Sequence, residues 1–178
     1  MIIGISGKIN SGKDTVADMI MRLEPSFEKH LFAGKLKYIA QILTGYTDQY
    51  TREGKAHFLP EWGMTVGEFQ QKLGTEAIRQ GLKDDAWIIA LFADYLPGNN
   101  WIVTDVRFPN EALAIRQRGG VLIRINRDVM DDSGRDPSHP SETSLDDWGD
   151  WDFVINNDSD LADLARRINV ILEQVCLL

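Results

Sequence analysis

The sequence predicts an α/β fold in three layers, a five-stranded parallel sheet with helices on both faces and a lid segment. Three observations predict it. Short apolar runs alternate with stretches whose apolar residues recur at helical spacing, the pattern of βαβ units. The first run, Ile2 to Ser6, ends in a glycine-bearing loop that leads directly into an amphipathic stretch. The 178 residues suit one domain with a real core.

The elements follow in order. Ile2 to Ser6 reads as a buried strand. Asp14 to Leu23 carries Val16, Ala17, Met19, Ile20 and Leu23 on one helical face, and Pro25 ends it. Phe27 to Phe32 is the second strand. Leu36, Ile39, Ala40 and Leu43 mark a second helix, stopped at Gly45. Tyr46 to Gly63 is polar, shows no period and reads as a loop or insertion. Thr65-Val66-Gly67-Glu68 fits a capping box and starts a helix expected to reach about Gln80. Asp84 or Asp85 is expected to cap the next helix, which Pro97-Gly98 closes. Trp101 to Thr104 is the third strand. Pro109-Asn110 opens a helix that ends at Gly119-Gly120, and Val121 to Ile125 is the fourth strand. Residues 127–150 form a long polar segment. Phe153 to Ile155 is the fifth strand, and Leu161, Leu164, Ala165, Ile168 and Leu172 define the last helix. The whole of 1–178 is expected to be one domain.

Composition bounds the function. A hydrophobic fraction of 43% and a charged fraction of 26% belong to a soluble globular protein. No apolar run approaches the roughly 20 residues of a membrane helix. Met1-Ile2-Ile3-Gly4 lacks the basic start of a secretory signal, so a cytoplasmic protein with no membrane partner is expected. The single cysteine, Cys176, excludes an internal disulfide and reads as a buried or incidental thiol. A net charge of −8 leaves no basic footprint for a nucleic-acid polymer. A nucleotide is anionic too, so it would need a local basic site within this acidic chain.

Ligands in such sheets bind beyond the carboxyl ends of the strands. After the first strand comes Gly7-Lys8-Ile9-Asn10-Ser11-Gly12-Lys13-Asp14-Thr15. Gly7, Gly12 and Lys13 fit G-x-x-x-x-G-K, a loop whose backbone N–H groups surround phosphate oxygens. The helix that follows adds its positive end, and Lys13 can reach the β- and γ-phosphates. The general pattern puts Ser or Thr directly after the lysine as a magnesium ligand. Here Asp14 stands there and the hydroxyl comes one residue later, at Thr15. A carboxylate cannot face a triphosphate unshielded. Either a metal or a basic residue stands between them, or Asp14 points away.

Asp105 follows the third strand, where it could hold a magnesium-bound water or accept a substrate hydroxyl, and Arg107 could bind a phosphate bidentately. A structural Asp–Arg pair is the alternative. Arg127, Arg135 and His139 fall in the long polar segment, expected to be a lid whose arginines clamp a transferring phosphate. Lys35, Lys37 and Arg79 could hold an acceptor's phosphate, and Trp87 could stack on a base. Asn157-Asp158 follows the fifth strand, beside the phosphate loop, and could recognise a donor base or form an Asx turn.

Ser11-Gly12-Lys13-Asp14-Thr15-Val16-Ala17, the Leu73-Gly74-Thr75-Glu76 turn, Thr104-Asp105-Val106-Arg107, the His139 to Glu142 segment and Ile155-Asn156-Asn157-Asp158 occur in this order. Together they resemble the bacteriophage-type deoxynucleoside monophosphate kinases, over nearly the whole chain. The resemblance implies a P-loop kinase fold and transfer of the γ-phosphate of ATP, with Mg2+, to a deoxynucleoside monophosphate. It implies that Asn10, Ser11, Gly12, Lys13, Asp14 and Thr15 hold ATP, with Arg127, Asn157 and Asp158 near the donor base. It implies that Leu36, Lys37, Gly74, Trp87, Asp105, Arg107 and Glu111 line the acceptor site, with residues 46–64 nearby. Gly67-Glu68 stands where some members carry arginine, and Arg79 is the candidate to compensate. Lys13, Arg107 and Asp105 are the expected catalytic residues. The metal ligands are left open, with contact through water at Asp14 or Asp105 as a candidate. A phage-encoded member would work in the host cytoplasm, as a monomer or homodimer.

The loop alone leaves the acceptor open, because short versions of it also resemble animal phosphomevalonate kinases. A kinase of another phosphorylated metabolite, or a nucleotide-binding regulatory module without catalysis, are the rival readings. A GTPase should show Asn-Lys-x-Asp after a late strand, and Ile155-Asn156-Asn157-Asp158 lacks the lysine.

Overall fold

Strand β1, Ile2–Gly7, is buried along almost its whole length and runs into the phosphate loop. Helix α1, Lys13–Leu23, buries Val16, Ala17 and Ile20, one face of the predicted stripe. Strand β2 is Phe27–His30 and helix α2 is Gly34–Thr44, which Gly45 ends in the left-handed region. The strand expected to reach Phe32 stops at His30, because the next N–H groups turn to a side chain: Asp105 accepts from Phe32 N–H at 2.8 Å and from Ala33 N–H at 2.9 Å. The computed structural model describes residues 1–48, 51–128, 136 and 138–175. Arg135 and Cys176 lie outside the described residues.

The polar stretch 46–63 is not a plain loop. It holds helix α3, Arg52–Ala56, and the first strand of a hairpin made by β3, Phe58–Leu59, and β4, Met64–Thr65. Helix α4, Val66–Gln71, begins with the predicted capping box: Glu68 N–H donates to Thr65 Oγ1, and Thr65 N–H donates to Glu68 Oε2 at 2.8 Å. The chain then widens into a π-helix, Lys72–Gln80. Leu73-Gly74-Thr75-Glu76, read as a turn, lies inside it. Helix α5 is Ala86–Phe92. Asp85 stands at its N-cap but makes no cap bond. The Asp84 and Asp85 carboxylates instead accept from Asn110 Nδ2.

Strand β5 is Asn100–Val103, helix α6 is Pro109–Arg116, strand β6 is Val121–Asn126 and helix α7 is Pro140–Thr143. Strand β7, Phe153–Asn156, and helix α8, Leu161–Val175, complete the chain. The main sheet has the order β2-β5-β1-β6-β7, and every pairing in it is parallel.

Strand alternation sends side chains to two cores. Ile3, Ile5, Ile102, Ile123 and Ile125 meet Val16, Ala17 and Ile20 of α1 and Ile168 and Leu172 of α8. Ile2, Trp101, Val103 and Leu122 meet Leu36 of α2, Ile88 and Leu91 of α5, and Ala112 and Ile115 of α6. A third, smaller cluster of Ala40, Leu59, Val66 and Phe69 seats the hairpin. The layers are therefore helix, sheet, helix, as the sequence predicts. Among the described residues, no helix is long and apolar enough to cross a membrane.

Candidate active site

The central strand β1 delivers the phosphate loop to the carboxyl edge of the sheet. Ser11 N–H closes the turn on Lys8 O at 3.2 Å. Gly12 sits at φ 101, a left-handed torsion that glycine adopts without steric cost. A Cβ there would also lie 2.5 Å from Asn157 Nδ2. That amide donates to Ser11 O at 2.9 Å, so the loop after β7 braces the phosphate loop. The Ser11 hydroxyl is buried with no hydrogen-bond partner among the described residues. Such an orphaned polar group inside an N–H-lined loop suits an anion's oxygen. Lys13 Nζ folds over its own loop and donates to Gly7 O at 2.8 Å and Lys8 O at 2.7 Å.

Asp14 is answered by a lysine. Lys29 of β2 lies 2.6 Å from its carboxylate, and Thr104 Oγ1 donates to it at 3.5 Å. Burial acts to raise the Asp14 pKa. The Lys29 hydrogen bond and charge, with Lys13 and Lys37 behind them, outweigh that and hold it below the ordinary value.

In front of the loop lies a cleft of about 430 Å³. Asn10, Lys13, Asp14, Lys37, Asp105 and Arg107, all expected from the sequence, line it together with Lys29, Lys55 and Thr104. Five cations face two carboxylates there. The acidic chain thus carries the local basic site that a nucleotide demands.

Asp105 and Arg107 also line a second, inner pocket. Leu36, Gly74, Arg79, Trp87 and Glu111 surround it, as expected, with Phe32, Gln70, Thr75 and Phe108. Its free volume is only about 60 Å³, room for roughly two waters. The Trp87 indole is buried and donates to Gly74 O at 2.9 Å. The π-helix turns that carbonyl inward. Arg79 is 4% exposed. It pairs with Glu111, bonds Asp84 O at 2.7 Å and stacks over the Phe108 ring. Glu111 Oε2 accepts from Arg107 N–H at 2.8 Å and Phe108 N–H at 3.2 Å. Burial, opposed by Arg79, pushes Glu111 up to about 7.

In the described part of the expected lid, Glu142 and Asp146 meet basic groups carried by other parts of the chain. Arg107 Nη1 pairs with Glu142 at 2.5 Å and donates to Ser141 O at 2.9 Å. Burial disfavours the Arg107 charge, but Glu142, Asp105 and Glu111 outweigh it and raise its pKa. Lys8 pairs with Asp146 at 2.5 Å and donates to Glu142 O at 2.7 Å. His139 caps α7, where its Nδ1 accepts from Ser141 N–H at 3.1 Å. Its Nε2 faces Glu76 at 3.4 Å, and it lines none of the clefts described here. Asp136 N–H donates to Gln71 Oε1, and Gln71 Nε2 donates to Asp136 O, both at 3.1 Å.

Arg127 is exposed and directly follows β6. It lines an open groove with Gly12, Thr15, Asn157 and Asp160. Asp158 is exposed and lies outside that lining. Sequence reasoning missed Lys29, Lys55, Thr104 and Gln70. Lys29 carried one available signal, since Asp14 needed a cation and β2 leads to the same edge.

Comparison with known proteins agrees with the geometry. The family model for deoxynucleotide monophosphate kinase matches residues 60–168. A protein of Acanthamoeba polyphaga mimivirus described as "Putative deoxynucleotide monophosphate kinase" is 29% identical over 185 residues, covering 94% of each chain. Among solved structures, the shikimate kinase of Aquifex aeolicus superimposes with a TM-score of 0.55 at 16% identity, over 99% of each chain. That likeness is one of fold.

Proposed function

From the premise that the chain belongs to the deoxynucleotide monophosphate kinase family, we propose that it moves the γ-phosphate of ATP to a deoxynucleoside monophosphate. The products are ADP and the deoxynucleoside diphosphate. One observation carries this reading: the cationic cleft at the phosphate loop and the inner pocket lie side by side and share Ala33, Asp105 and Arg107 in their walls. The donor enters over the phosphate loop, its base toward Arg127 and Asn157. The acceptor's base enters between Leu36, Trp87 and Phe108, and its phosphate comes forward to Arg107.

The chemistry needs little from acids and bases. An oxygen of the acceptor phosphate attacks the γ-phosphorus, already ionised near neutral pH. The bond from that phosphorus to the β–γ bridging oxygen breaks, and its electron pair leaves with ADP. Catalysis is then positioning and charge neutralisation. Lys13 leaves its loop carbonyls to follow the β- and γ-phosphates. Asp105 acts as a positioning residue, since both its oxygens hold the backbone that leads into α2.

The side chains fit magnesium held mainly by phosphates and water, its usual habit. Asp14 faces the cleft as the carboxylate that would receive it, and Thr15 sits beside the loop. Among the described residues, no group of three or more His, Cys, Asp or Glu side chains could enclose a metal. Magnesium would supply neutralisation of the triphosphate.

The inner pocket is smaller than the roughly 300–1,000 Å³ typical of ligand pockets. Its walls must therefore part to admit the acceptor. Ser141 forms one wall, latched by Arg107. A coupled ADP-release assay over deoxynucleoside monophosphates, ribonucleoside monophosphates and phosphorylated metabolites tests the reading. Turnover confined to the metabolites would overturn it.

A further inference from the structure

Among the described residues of the 46–64 arm, Lys55 lines the cleft. Its helix α3 is fixed at several points. Thr51 Oγ1 accepts from Gly54 N–H at 2.9 Å and donates to Asp48 Oδ1 at 3.0 Å. Tyr46 stacks on His57 with ring centroids 4.4 Å apart and planes 7° from parallel. Val66 N–H donates to His57 O at 2.9 Å, which ties the end of α3 to the start of α4. Gly54 packs so closely that a Cβ there would lie 1.6 Å from Asp48 O. Below, Leu59 and Met64 of the hairpin seat on Ala40, Val66 and Phe69. These ties fix the backbone from which Lys55 projects.

Lys55, on α3, is half-buried and lines the same cleft as Lys13, Lys37 and Arg107. That cleft reaches the phosphate loop at Asn10 and Lys13, and the inner pocket at Ala33, Asp105 and Arg107. On the nucleotide-kinase reading, a donor's terminal phosphate and an acceptor's phosphate would meet there. Lys13 approaches from the loop and Lys37 from α2, whereas Lys55 approaches from the arm. A fixed ammonium acts most strongly where charge builds up during the reaction.

We propose that Lys55 contacts the phosphates at the donor–acceptor junction, and that the arm exists in part to deliver it. This rests on the nucleotide-kinase reading above. Lys55 makes and breaks no bond; it neutralises the oxygens of the phosphoryl group in transit. Its contact is therefore strongest when both nucleotides are present.

The test compares wild type with Lys55→Ala and Lys55→Arg, using ATP, magnesium and each deoxynucleoside monophosphate. Removing one charge-stabilising donor typically costs 10²–10³ in rate, and partial exposure reduces this to roughly 10–100-fold in kcat. Calorimetry should show ATP alone and monophosphate alone binding Lys55→Ala within about threefold of wild type. A bisubstrate analogue, adenosine and deoxynucleoside joined by five phosphates, should bind it at least about tenfold more weakly. Lys55→Arg should recover most of both losses. Wild-type kcat and unchanged analogue binding in Lys55→Ala would overturn the inference while leaving the kinase reading intact. A loss confined to ATP binding would overturn the junction assignment. Failure of the wild type to phosphorylate any deoxynucleoside monophosphate would instead sink the reading beneath it.

Discussion

Glu111 is the residue whose titration should be visible in the stability of the whole protein. It is 3% exposed, faces Arg79 and accepts two backbone N–H groups. Burial nevertheless lifts its pKa from 4.5 to about 7. The folded state thus binds a proton more readily than the unfolded chain. Stability from this group is fully present below about pH 4.5 and is lost as pH rises through about 7. At about 1.4 kcal/mol per pKa unit, the loss is on the order of 3 kcal/mol. For a domain of this size that is a fall in Tm of roughly 6–12 °C. Glu111→Gln keeps the shape and one acceptor oxygen for the backbone pair, and removes the titration. It also leaves Arg79 short of an acceptor, a cost of about 1–3 kcal/mol that does not vary with pH. Urea and thermal unfolding from pH 4.5 to 8.5 should therefore show a falling limb in the wild type that is missing in Glu111→Gln. Parallel curves for the two proteins would refute the reasoning, as would a wild type that gains stability over this range relative to the variant.

Four further outcomes follow from the geometry. Lys13→Ala should abolish turnover with a fall in Tm of no more than about 4 °C, since Lys13 Nζ bonds Gly7 O and Lys8 O of its own loop; retention of most activity would remove the assignment. Arg107→Ala should raise the KM for the monophosphate at least about tenfold and leave that for ATP nearly unchanged, since Arg107 lies at the mouth of the inner pocket; damage limited to ATP affinity would mean the two sites are wrongly divided. Asn157→Ala releases the brace on Ser11 O and should raise the KM for ATP several-fold with little change for the acceptor. Lys29→Ala should weaken ATP binding by roughly tenfold in calorimetry, and Asp14→Ala on top of it should recover much of the loss.

Much of this was legible because local chemistry decides it. The apolar run of β1, the glycines after it and the stripe of α1 specify strand, loop and helix without help from the rest of the chain. The capping box at Thr65 and Glu68 formed both of its bonds. Other parts depend on distant partners. Helix α3 has five residues and the hairpin strands two each, too short to carry a period, and they exist by virtue of the Tyr46–His57 stack and the Leu59–Phe69 cluster. The π-helix keeps an apolar pattern close to that of an α-helix, so nothing in it announces that Gly74 O will turn toward Trp87. Arg79 and Glu111 are 32 residues apart, and though the sequence puts both at the acceptor site, nothing in it announces their pairing, which alone makes burial tolerable. The lid was read by its arginines. Among the described residues of that segment, Glu142 and Asp146 pair with Arg107 and Lys8 at the sheet edge.

The Asp14–Lys29 pair explains how a phosphate loop can carry a carboxylate where others carry a hydroxyl. An extra negative charge about 4 Å from a phosphate oxygen costs from about 1 kcal/mol in water to about 4 kcal/mol near a protein surface. Asp14 is largely exposed, so the lower part of that range applies. Lys29 sits 2.6 Å from the carboxylate and cancels most of the field at the distance of the phosphates. The pair is then nearly neutral toward the donor, as a hydroxyl would be. It differs from a hydroxyl in one respect. Lys29 has Asp18 at 3.9 Å as a second partner, so Asp14 would be able to receive a cation bound with a triphosphate. On the magnesium reading, the substitution would exchange a fixed neutral ligand for a charge that Lys29 masks until a cation binds. That is why losing Lys29 alone should harm ATP binding more than losing both members of the pair.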